Sequence, residues 1–153
     1  MQVKKMNAII HACVILAVIG GTLAQSVDGT PVSDDGCPTF GRLVTEADLE
    51  NAVITLSNFP NFALLAGESD TREMTLADSR SNSGTTCYRM KAENNSGNAE
   101  FVVGADFVEA FNSNAPGCRN QEGLLRGFSG TEGGQANDSP VVFLAQATFR
   151  DTC

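Results

Sequence analysis

Apolar residues along this chain recur in three rhythms, and each predicts a different kind of segment. From Leu49 the spacing is helical: Leu49, Ala52, Val53 and Leu56 fall on one stripe. Thr45-Glu46-Ala47-Asp48 precedes it with capping-box spacing, so the threonine hydroxyl can accept an orphan backbone N–H and Asp48 can reach back. Val44 can pack on Leu49 as a hydrophobic staple, and Pro60 stops the helix near Phe59. A second helix is predicted from Gly104 to about Asn114, with Val103, Phe107, Val108 and Phe111 as its apolar face and Pro116-Gly117 as its stop.

The second rhythm has a period of two. Thr86, Tyr88, Met90 and Ala92 alternate with Cys87, Arg89, Lys91 and Glu93, the pattern of a half-buried strand. Glu73 to Asp78 alternates through Met74 and Leu76. Val141, Phe143, Ala145, Ala147 and Phe149 give the inward face of a long last strand whose Gln146, Thr148 and Arg150 point outward. Leu124 to Phe128 is a shorter strand, and Phe62 to Ala66 joins the same sheet. Helix, strands, helix, strands is the order of an α+β fold: an antiparallel sheet with two helices packed on one face, a plait-like sandwich.

The third rhythm is an unbroken apolar run, Ala8 to Ile19, interrupted only by His11. Lys4 and Lys5 precede it, Gly20-Gly21 break it, and Thr22-Leu23-Ala24 ends it on small residues, which together are the three parts of a signal peptide. The run is too short to span a bilayer, which takes roughly 20 residues. Residues 1–24 are therefore expected to be removed, leaving a flexible acidic arm (25–36) and a single domain (37–153).

Cleavage changes the chemistry on offer. Loss of Lys4 and Lys5 takes the net charge from −8 to −10, which disfavours nucleic acid and anionic membranes as partners. The only histidine, His11, leaves with the leader, and with it hydrolases that use a histidine base and imidazole metal sites. Cys37, Cys87, Cys118 and Cys153 remain, with no CxxC spacing suited to zinc, and four cysteines in an exported chain make two disulfides. The order of elements favours Cys87–Cys118 and Cys37–Cys153. No cofactor and no metal are expected.

The other candidate residues are few. Asp106 and Glu109, three apart at a helix start, could form a carboxylate pair, although acids there are the ordinary partners of the helix dipole. Arg89 and Lys91 project from one sheet face and are the candidate interaction surface. Asn94-Asn95-Ser96 is a glycosylation sequon, and Asn137-Asp138-Ser139 a weaker one before Pro140. The polar loops at Ser79–Gly84, Glu93–Asn98 and Ser129–Ser139 carry glycines without phosphate-loop spacing.

Cys87-Tyr88-Arg89-Met90, a polar loop, Phe101-Val102-Val103-Gly104-Ala105-Asp106-Phe107-Val108 and the turn at Gly117-Cys118 together resemble small secreted fungal effectors, of the necrosis-inducing factor family or the killer-toxin-like proteins. The resemblance implies a secreted, disulfide-stabilised sandwich that acts on another organism by binding; no functional residue is carried over from it. The expectation is a monomeric extracellular binding protein with an unknown extracellular or host protein as partner and no membrane insertion after cleavage. The other classes weighed are a small carboxylate-dependent hydrolase and a hydrolase inhibitor.

Overall fold

The computed structural model describes residues 32–33, 35–82, 84–132, 141–149 and 153. The expected leader, most of the acidic arm, Asn137 and Arg150 lie outside these residues. The elements run β1 (Val44–Thr45), α1 (Glu46–Leu56), β2 (Phe62–Leu64), β3 (Ser69–Ala77), β4 (Thr85–Asn94), β5 (Glu100–Val102), α2 (Gly104–Asn114), a 3-10 turn (Ala115–Cys118), β6 (Leu124–Leu125), β7 (Gly127–Gly130) and β8 (Val141–Thr148). Among the described residues no helix is long and apolar enough to cross a membrane.

The fold is α+β, as its pattern predicts. Four strands form an antiparallel sheet in the order β3-β4-β8-β7. Both helices pack against this sheet and against each other, α1 over β3, β4 and β8, and α2 over β7 and β8. The helical stripe of Leu49, Ala52 and Val53 meets Tyr88, Met90 and Ala92 of β4 and Phe143, Ala145 and Ala147 of β8 in one core, joined by Phe107, Ala110 and Phe111 of α2. Phe107 meets Phe143 edge-on at 4.7 Å between ring centroids, a favoured aromatic geometry.

Three expectations about the strands are corrected. Phe62–Leu64 does not join the main sheet; it pairs antiparallel with β5 in a ribbon of its own, Ala63 opposite Phe101. The segment from Leu124 to Phe128 is two strands, β6 on β1 and β7 on β8. The break falls at Arg126, and Gly127 opens β7 with a φ of 153° and a close approach that leave no room for a side chain: a Cβ there would lie 2.0 Å from the Ala145 carbonyl oxygen. Phe149 is also corrected, because it stands beyond the end of β8 and is exposed rather than inward-facing.

The disulfides are Cys37–Cys118 and Cys87–Cys153, not the expected Cys87–Cys118 and Cys37–Cys153. Strand order explains the difference. β8 lies directly beside β4 in antiparallel register, Cys87 opposite Thr148, so the end of the chain arrives at Cys87. The entry segment runs along the β7 edge, where the Ser129 amide donates to the Gly36 carbonyl at 2.6 Å. The turn after α2 delivers Cys118 to Cys37, with 5.3 Å between their Cα atoms.

Candidate binding surface

Alternation along β4 sends Arg89 and Lys91 to the sheet face opposite the helices, together as expected, but that face does not offer them to a partner. Register places Arg89 between Glu73 of β3 and Gln146 of β8, and Lys91 between Thr71 and Leu144. Arg89 pairs with Glu73, and the Lys91 ammonium donates to Glu93 at 3.1 Å while the residue is only 6% exposed. Val142 and Leu144 are buried on the same face. A buried lysine needs such a partner, so this pair is structural rather than a solvated cationic patch.

Asn94 is likewise corrected as a glycosylation site. It is fully buried, and its amide nitrogen donates to the carbonyls of Leu64, Leu65 and Asn98 at 2.9, 3.1 and 2.7 Å. The atom that would carry a glycan instead ties β2 and the loop after β4 together. The second sequon residue, Asn137, lies outside the described residues.

Asp106 and Glu109 lie near each other at the start of α2. The Asp106 carboxylate accepts the Val103 amide at 2.6 Å, and Glu109 faces solvent. Glu132 joins them from the end of β7: burial first, then the charges of Asp106 and Glu109, hold its carboxyl above the ordinary glutamate range. Among the described residues no three His, Cys, Asp or Glu side chains are grouped so as to hold a metal ion.

At the other end of the helical layer several polar groups bind one another. The Asp48 carboxylate accepts the hydroxyls of Thr45 and Ser79, both at 2.7 Å. Burial pushes the Asp48 carboxyl up, but these bonds outweigh it and hold it below the ordinary aspartate value. Asp78 is buried against the Arg42 guanidinium at 2.9 Å and also accepts the Thr86 hydroxyl.

A further surface feature is uncharged rather than ionic. A cleft of about 520 Å³ lies between the C-terminal turn of α1 and the first turns of α2. Ile54, Thr55, Ser57 and Asn58 line it from the α1 side, and Gly104, Ala105 and Val108 from α2. Gly104 lets the helices close up there, since a Cβ would come within 2.2 Å of the Ser57 carbonyl oxygen. None of these seven residues carries a charge. Ile54 is 51% exposed, and the β2–β5 ribbon leaves Phe101 68% exposed, with Leu65 also in solvent. Phe40 and Phe149 make a second exposed pair, edge to face at 6.5 Å. Sequence reasoning missed all of these; Ile54 lies off the stripe of α1, which was the available sign. No protein-family model, curated protein or solved structure matches the chain.

Proposed function

We propose that the chain is an exported, non-enzymatic binding protein of the effector or toxin-like kind, acting on a protein of a host or competitor through the α1–α2 cleft. The observation that carries this reading is the uncharged cleft lined in part by Ile54 and Val108, on a molecule that also leaves Phe101 and Leu65 exposed. Large apolar side chains held in solvent by a rigid scaffold are characteristic of interaction sites. Two disulfides and the leader-like N-terminus support export. A second reading, a carboxylate-dependent hydrolase, draws on the neighbouring Asp106, Glu109 and Glu132.

One set of variants separates the two. With Ile54→Asp and Val108→Asp, the effect of the added protein on growth of the organism it acts on should be lost while the far-ultraviolet circular dichroism is kept. Asp106→Asn and Glu109→Gln should leave that effect intact. The reverse pattern favours the hydrolase. Mass spectrometry of the exported chain should place its first residue at Gln25.

A further inference from the structure

We propose that the exposed rings of Phe40 and Phe149, with the guanidinium groups of Arg80 and Arg126, form a second docking surface, fitted to an acidic segment of a partner protein that carries an apolar side chain. The two rings are 65% and 66% exposed and meet edge to face at 6.5 Å. Hydrogen bonds fix the main chain that presents them. The Gln146 side-chain amide donates to the Phe40 carbonyl at 2.8 Å, and the Arg42 amide donates to the Ala147 carbonyl at 2.9 Å. Gly41 lies between, at a φ of 125°, where a Cβ would come within 2.5 Å of the Ala147 carbonyl oxygen. The entry segment is thus held tight against the end of β8, and two large apolar side chains stand in solvent on a stiff support. None of these residues lines the α1–α2 cleft.

Charge selects the partner. Among the described residues, Arg72, Arg89, Lys91 and Arg119 pair with Asp70, Glu73, Glu93 and Glu46, and Arg42 pairs with Asp78. Arg80 and Arg126 have no such carboxylate among the described residues, and both reach the same short stretch of main chain. Arg126 Nε donates to the Gly41 carbonyl at 3.2 Å, and the Arg80 guanidinium to the Leu43 carbonyl at 3.5 Å. A carbonyl satisfies a donor but leaves the positive charge of the guanidinium in place. Two such charges beside Phe40, on a chain whose net charge is −8, favour a segment that brings carboxylates to them. Arginine and aromatic side chains are also the kinds enriched where partners bind most strongly. The carboxylates of the partner segment pair with Arg80 and Arg126, and its apolar side chain rests on the two rings.

Selection of a displayed library of short random peptides on the full exported protein, at low salt, tests this. The recovered peptides should combine several aspartates or glutamates with a large apolar residue. Phe149→Ser, and separately Arg80→Gln combined with Arg126→Gln, should each weaken their binding about tenfold while the far-ultraviolet circular dichroism is kept. Raising the salt should weaken binding to the unaltered protein as well. Ile54→Asp, which alters the α1–α2 cleft, should leave it unchanged. Recovery of no peptide, or of uncharged or basic peptides, overturns the proposal, as do acidic peptides whose binding survives both sets of variants. Peptides lost on Ile54→Asp alone overturn this surface while supporting the cleft.

Discussion

The two helices start alike and are finished differently. Each has 11 residues, and each places an aspartate at the third position of its first turn, Asp48 in α1 and Asp106 in α2. In α1 the residue before the helix is Thr45, whose hydroxyl accepts the Asp48 amide at 3.1 Å and donates to its carboxylate. In α2 that residue is Val103, which has no side-chain acceptor, so Asp106 caps the Val103 amide alone. Asp48 gains a further donor in Ser79, whereas Asp106 has Glu109 and Glu132 for company. The same residue at the same position thus ties its helix to the β3–β4 connection in one case and closes a single turn in the other. Neighbouring donors decide which.

Four substitutions probe this contrast. Asp48→Ala should cost about 1–2 kcal/mol at neutral pH, read from urea unfolding. Because the folded Asp48 carboxyl titrates below its unfolded value of about 3.9, its contribution is complete above that pH and is lost as pH falls through the folded value. The variant should therefore lose less stability than the unaltered chain on going below about pH 4. Asp106→Ala should cost less, about 0.5–1 kcal/mol; a larger loss than Asp48→Ala would break the comparison.

Val103→Thr, nearly isosteric, supplies the hydroxyl that α2 lacks and should stabilise by about 0.5 kcal/mol, visible as a raised melting temperature. No gain would mean that Asp106 already completes the cap. The smallest effect is expected from Glu132→Gln. The raised Glu132 carboxyl means that ionisation works against the folded state, so the variant should gain a few tenths of a kcal/mol at pH 7, limited by solvent screening. That gain should disappear below about pH 4.3, where the carboxyl is protonated in folded and unfolded chains alike.

Much of this architecture is legible in the sequence because local pattern specifies it. Thr45 and Asp48 announce α1, and alternation through Tyr88, Met90 and Ala92 marks the core face of β4. The readings that failed depend on what lies opposite. Arg89 and Lys91 look like a solvated face until register brings Glu73, Thr71, Gln146 and Leu144 beside them. Asn94 satisfies a sequon that carries no information on burial. The cysteine pairing follows from β8 lying beside β4, a long-range adjacency that no local spacing encodes. The cleft at Ile54 and Gly104 arises from the approach of two helices far apart in the chain, and neither shows it alone.

The crossed order of the disulfides governs what a protease can release. Read from the N-terminus, Cys37 pairs with the third of the four cysteines and Cys87 with the last. A cut in the loop after β3 and another in the loop after β4 would free a middle piece holding Cys87, yet that piece stays bound to the last through Cys153, and the first stays bound to the last through Cys118. Cuts in any two different intervals between the four cysteines leave all three pieces in one covalent body. Under the nested pairing, a cut on either side of the Cys87–Cys118 pair would have released the middle of the chain. Outside a cell, a nicked molecule of this kind keeps its segments at one another's side, where they can close up again.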